Sequence, residues 1–190
     1  MICGTRVKVI RSMKKALGFS AVRRLLRQEE GAAAIEFGIV AAPFLALVFA
    51  ILETAIVFFA GQTLETAGAD SARLIMTGQA QNAGFDQAKF KEAVCDRIYG
   101  VFDCKSGLYV DVKKYNAFSN ISTAKPVDEN GNLKTGEFGY EPGGPGDIVV
   151  VRLLYQWPVY VSLLGLNLSD MSSGKRLLMS TVAFRNEPYQ

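Results

Sequence analysis

The sequence predicts an α+β protein in which a long N-terminal transmembrane helix extends into a small extracytoplasmic domain. That domain is predicted to hold a short helix and a three-stranded antiparallel sheet. Two patterns support this fold class. The run Phe37–Leu52 has no charged residue and is apolar enough for a membrane helix. Further along, apolar residues recur at period two in three segments, which is typical of strands with one covered face.

The apolar segment runs from Gly31 to about Gly61. Within it, a stretch of roughly 29 residues is apolar apart from Glu36, Glu53 and Thr54, whereas a membrane span needs about 20. A secretory signal has a shorter apolar stretch of about 7–15 residues, followed by a small-residue cleavage motif. No such motif stands out after Gly61. An Ala-rich stretch follows, so we expect the helix to extend to about residue 80.

Positive charge is concentrated before the span. Residues 1–30 carry eight Lys and Arg and two Glu, whereas residues 31–190 have a net charge of −3. Basic flanks stay in the cytoplasm, so the C-terminal part is predicted to face outward. The flank itself could be an amphipathic helix on the membrane surface or a simple orientation signal. Translation could start at Met1 or at Met13.

These patterns predict three regions. Residues 1–31 are a cytoplasmic basic leader, 32–61 are the transmembrane helix, with a helical extension to about residue 80, and 82–190 are the extracytoplasmic domain. Within that domain, Asp86–Phe102 has apolar residues at helical spacing. A polar loop, Asn116–Gly146, separates the first two strands, and its length suggests a contact role. The strand patterns lie at Leu108–Lys113, Val149–Trp157 and Leu178–Phe184.

The residue types argue against an enzyme. The chain has no histidine, which removes the usual general base near neutral pH and the commonest metal ligand. Zinc-ligand spacing, a phosphate-binding loop and a nucleophile elbow do not appear in the sequence. We therefore expect no catalytic residues, no cofactor, no metal site and no nucleic-acid partner.

The junction between the basic flank and the span carries the most specific pattern. Three arginines, at positions 23, 24 and 27, precede Gly31, and four small or apolar residues separate Gly31 from Glu36-Phe37. A charge at the centre of a span costs about 2.5–3.5 kcal/mol on insertion scales. Taken alone, Glu36 could sit near the headgroups or be protonated.

The wider pattern resembles the TadE-like pseudopilins of the Tad (Flp) type IVb pilus system. The resemblance rests on residues 32–43, the Leu/Phe-rich run after them and Glu53. It extends to the outer cysteine pair, to Tyr155–Pro158 and to the ending Ala183–Tyr189.

The resemblance implies that a prepilin peptidase cuts between Gly31 and Ala32. Glu36 would then be the fifth residue of the mature chain, where it can pair with the new Ala32 amine of a neighbouring subunit. Glu36, Phe37 and Glu53 are therefore candidate subunit contacts. Glu53 lies about 25 Å beyond Glu36 along a helix, so it could instead mark the outer membrane interface.

Cys95 and Cys104 lie outside the membrane in the predicted topology, in an oxidising compartment. We predict a disulfide between them, the alternative being two buried free thiols. Cys3 would leave with the leader.

The sequence thus predicts a minor pilin or pilus assembly protein that supports adhesion or surface attachment. Major Tad pilins resemble much shorter chains, which favours a minor role. The expected location is the inner membrane, as a single-pass protein that can enter the pilus. Expected partners are prepilin peptidase, other pilin or Tad assembly subunits, and the membrane. The alternative is an uncleaved, membrane-anchored extracytoplasmic binding module.

Overall fold

The computed structural model describes residues 29–98, 100, 103–160 and 167–189. The predicted α+β class, with one long N-terminal helix and a three-stranded antiparallel sheet, is confirmed. Residues 1–28 of the predicted leader, including Cys3 and Met13, lie outside the described residues. The elements are helices α1 (Glu29–Met76), α2 (Gln79–Asn82), α3 (Gln87–Cys95) and α4 (Cys104–Gly107), and strands β1 (Leu108–Tyr115), β2 (Ile148–Pro158) and β3 (Lys175–Arg185).

The chain forms two compact units, Met1–Phe49 and Ala50–Gln190. The described part of the first is the α1 backbone over residues 29–49. The second, called the C-terminal unit below, contains the remainder of α1 and all the other elements. The boundary lies inside α1, and the predicted domain limits near residues 61 and 82 stay predictions.

Within the C-terminal unit, one face of α1 packs against the sheet. A Cβ atom added at Gly68 would lie 2.5 Å from Ser180 Oγ and 3.5 Å from Leu153 Cδ1. The small residues of this face therefore let the sheet approach the helix backbone closely. Buried residues recur on this face every three or four residues, which is the period of an α-helix. This series consists of Ala50, Glu53, Val57, Ala60, Leu64, Ala67 and Ser71.

The sheet has the order β1-β2-β3, with Leu108 opposite Tyr155 and Leu153 opposite Ser180. Its helix-facing side carries the apolar positions that period-two alternation predicts. The sequence predicted one covered face, but β2 is buried on both sides. Leu154 on the second side packs into a separate cluster with residues of β3 and of the loop after β1. That loop is polar overall, yet it supplies three apolar contacts to the sheet: Val127, Leu133 and Phe138.

The short helix is shorter than its predicted span, Asp86–Phe102. Asp86 caps its N-terminus, where Asp86 Oδ1 accepts the Lys89 N–H at 2.8 Å. Helix α3 ends at Cys95. After Asp96, the amides of Arg97 and Ile98 donate to carbonyls only three residues back, at 3.0 and 3.1 Å. This tightened turn ends the helix before the predicted boundary.

Candidate assembly helix

The first half of α1 presents an apolar surface on nearly all sides. From Ala33 to Phe49 almost every side chain is exposed, and Phe37 is exposed to 75%. A continuous apolar surface of this extent requires lipid or other protein around it. Among the described residues, α1 is the one helix long and apolar enough to cross a membrane, over Ala33–Met76. A single N-terminal apolar helix of this kind suggests single-pass membrane anchoring.

The predicted processing site lies within α1. The backbone of Gly31 and Ala32 is helical, and side chains are described from Ala33 onward. Glu36 is exposed and is flanked by the exposed apolar side chains of Ile35 and Phe37. Among the described side chains, none forms an ion pair or hydrogen bond with Glu36. The roles of Gly31, Ala32, Glu36 and Phe37 stay predictions.

Glu53, the second carboxylate of the span, has a different environment. Its side chain is only 7% exposed. Glu53 Oε1 accepts the backbone N–H of Tyr160 at 2.6 Å, across 107 residues of chain. Glu53 therefore connects α1 to the segment that follows β2. Its predicted contact with another subunit stays a prediction. Tyr160 could not be found from the sequence, because it donates through a backbone group.

The structure contains the predicted disulfide between Cys95 and Cys104, with 5.6 Å between the two Cα atoms. Cys95 is the last residue of α3 and Cys104 the first of α4. The Lys91 ammonium donates to the Lys105 carbonyl at 2.9 Å and joins the same two helices. The bridge thus fixes the helical segment that leads into β1.

Three polar side chains join the end of α1, the C-terminal residues and the loop Glu141–Asp147; we call this set the C-terminal clasp. Gln81 Nε2 donates to the Pro142 carbonyl at 3.1 Å, and Asn186 Nδ2 donates to the same carbonyl at 2.9 Å. Tyr189 Oη donates to the Gly143 carbonyl at 3.4 Å. The Glu187 N–H donates to the Met76 carbonyl at 2.9 Å, which satisfies one of the open carbonyls at the end of α1.

Asp147 stabilises the loop of the C-terminal clasp. The Gly144 N–H, at 2.8 Å, and the Lys114 ammonium, at 2.9 Å, hold the pKa of the Asp147 carboxyl below its usual value. A lowered pKa in the folded state means that this interaction stabilises the fold above about pH 4 and is lost as the pH falls further.

Replacing Gly78 with alanine is expected to weaken the C-terminal clasp. Gly78 follows α1 with φ +76°, and an added Cβ would lie 2.3 Å from Tyr189 Cγ. A left-handed backbone alone costs a non-glycine residue about 1–2 kcal/mol. Gly84→Ala is a matched control, because Gly84 has φ +61° and no atom within 4 Å of an added Cβ. In denaturant unfolding of the full chain in detergent, we expect the larger loss of stability for Gly78→Ala. Equal losses would show that the Tyr189 contact contributes nothing.

The part of the chain that the structure describes offers no group of three or more His, Cys, Asp or Glu side chains that could hold a metal ion. The distinctive geometry is instead in α1. Its apolar part, Ala33–Ala60, carries one exposed carboxylate, Glu36, and one buried carboxylate, Glu53.

Most of α1 is similar to a known protein family. Residues 31–73 match the TadE-like protein family. The predicted family resemblance is therefore confirmed for this TadE-like segment, which begins at Gly31 and includes Glu36 and Glu53. The cysteine pair, Tyr155–Pro158 and Ala183–Tyr189 lie beyond the matched residues. Comparisons with the curated proteins and with the solved structures found no match.

The similarity of residues 31–73 to this family suggests a relation of the segment to Tad pilus proteins. The family also suggests association with the membrane and with pilus or Tad subunits. The surface of the segment suits both environments, because an apolar helix face can be covered either by lipid or by neighbouring helices.

Proposed function

We propose that this chain is a minor pilin or assembly protein of a Tad pilus, made as a precursor and cleaved after Gly31 by a prepilin peptidase. It supports adhesion or surface attachment by assembling with other subunits through α1. One observation carries the proposal: the TadE-like match begins at Gly31 and covers the part of α1 whose apolar surface is exposed.

The proposed assembly step depends on Glu36. Cleavage creates a positive amine on Ala32, four residues before Glu36. In the bilayer, the Glu36 carboxylate is costly because apolar side chains surround it. In a filament, the Ala32 amine of a neighbouring subunit neutralises it, so the charge pair favours the assembled state. Phe37, exposed beside it, supplies apolar contact to the same neighbour.

The proposed orientation places the basic flank in the cytoplasm and the C-terminal unit outside the inner membrane. The charge distribution supports it, since residues 1–30 hold the excess of Lys and Arg. The Cys95–Cys104 disulfide also supports it, because such bonds persist in oxidising compartments.

The mature N-terminus tests the proposal. The full-length chain is expressed with a prepilin peptidase, and its N-terminus is determined by sequencing and intact mass. We expect the wild type to begin at Ala32 and a Gly31→Val variant to keep its leader. Gly38→Val is the matched control, because an added Cβ at Gly38 meets no atom within 4 Å, and we expect it to be cleaved normally. A wild-type chain that keeps its leader beside the active peptidase would refute the pilin proposal and favour an anchored binding module.

A further inference from the structure

The apolar surface of α1 continues into the C-terminal unit as an exposed ridge. Glu53, Val57 and Ala60, on the opposite side of the helix, are buried. Gln62 is the first exposed polar residue after the ridge. Water is therefore an unfavourable neighbour of the ridge. The ridge consists of Ile51, Leu52, Ile56, Phe58 and Phe59, each more than half exposed.

The segment after β2 reaches the level of this ridge. The Tyr160 N–H donates to Glu53 at 2.6 Å, and Glu53 precedes Gln62 by nine residues, or about 13 Å along a helix. The Tyr160 side chain is nevertheless 81% exposed. Tyr160 thus presents an aromatic ring to the surroundings at a level where the fully exposed side chains of the helix are apolar.

The chemistry of this segment suits the boundary of a lipid bilayer. Tyr and Trp are enriched where a membrane meets water, because their rings are apolar and their polar atoms remain hydrated. The sequence from Trp157 to Leu168 has no charged residue. A backbone N–H at this depth needs a hydrogen-bond acceptor, and the Glu53 carboxylate provides one for Tyr160.

We propose that the segment Pro158–Tyr160, at the end of β2, is a second membrane contact, which inserts into the interface of the leaflet that covers the ridge. Lipid is the occupant because the ridge is part of the same candidate span, Ala33–Met76. Glu53 is then a positioning residue that holds this segment at this depth through the Tyr160 N–H. The proposal rests on membrane anchoring and does not require cleavage at Gly31.

Tryptophan fluorescence tests the proposal in the full chain reconstituted into lipid nanodiscs. Trp157 is the one tryptophan of the sequence, so the wild type gives the background signal. Tyr160→Trp adds a second fluorophore and keeps the backbone N–H that Glu53 accepts. Phe118→Trp is the matched control, because Phe118 is also an exposed aromatic residue, at 54%, and lies in the loop after β1. Each variant is measured with nitroxide-labelled lipids and, separately, with acrylamide in the water.

We expect the signal added at position 160 to lose about half of its intensity or more with the labelled lipids, because interfacial rings lie at headgroup level. The signal added at position 118 should respond to acrylamide alone. Quenching at position 160 by acrylamide alone would overturn the proposal. Protection at position 160 from both quenchers would also overturn it, since protein and not lipid would then cover the segment Pro158–Tyr160. A Glu53→Ala change in the Tyr160→Trp chain should reduce the lipid quenching, and unchanged quenching would overturn the positioning role of Glu53.

Discussion

Replacing Glu36 with alanine or glutamine should leave cleavage after Gly31 intact and reduce incorporation into pili by more than about tenfold. Removing one partner of a buried charge pair costs roughly 2–5 kcal/mol, and about 1.4 kcal/mol corresponds to a factor of ten. The proposed partner, the Ala32 amine of a neighbouring subunit, would be left as an unpaired charge among apolar helices. Incorporation is measured as the share of the protein in sheared pili relative to the membrane fraction.

Glu53→Gln is the informative companion to the Glu36 variants. The Glu53 carboxylate is buried and accepts the Tyr160 N–H. Glutamine keeps an accepting oxygen but removes the charge that strengthens this hydrogen bond, so the change should lower the free energy of unfolding of the C-terminal unit. Glu36 is exposed, and its replacement should leave that free energy unchanged. Normal incorporation of Glu36→Ala would contradict the proposed charge pair. A loss of assembly in Glu53→Gln without a loss of stability would support the predicted subunit contact at Glu53.

The elements with local sequence signals could be predicted. An uncharged run longer than a membrane requires predicted the long helix, and alternation at period two predicted all three strands. The cysteine pair could be predicted because the topology placed both residues in one oxidising compartment. The basic flank and the family resemblance single out Gly31 and Glu36, whose roles stay predictions.

The long-range contacts could not be predicted in the same way. Glu53 bonds to a backbone N–H 107 residues away, and every residue except proline carries such a donor. The C-terminal clasp likewise uses backbone carbonyls of Pro142, Gly143 and Gly144. The loop after β1 has a polar composition, but a few spaced apolar residues, among them Val127 and Leu133, cover the second face of the sheet. Composition averages over such residues and conceals them.

Asp111→Ala is expected to produce the largest loss of stability in the C-terminal unit, about 3–5 kcal/mol, because it leaves the buried Arg152 charge without its partner. Asp111 and Arg152 are opposite each other on β1 and β2, 2% and 8% exposed, with 3.8 Å between Oδ2 and Nη1. Both also hold the loop after β1. Arg152 Nη2 donates to the Ser122 carbonyl at 2.6 Å, and Asp111 Oδ1 accepts the Gly139 N–H at 3.1 Å. Denaturant unfolding followed by Trp157 fluorescence measures the loss.

Two further variants separate the charge pair from general disruption of the strand. Lys113 Nζ also approaches Asp111, at 3.7 Å, but its side chain is 34% exposed, so Lys113→Ala should cost less than about 1 kcal/mol. The double variant Asp111→Leu with Arg152→Met replaces both buried charges by apolar groups, and it should lose less stability than the two single changes together. Losses that simply add would show that the two side chains act independently. The loop would then be held by its separate hydrogen bonds and not by the ion pair.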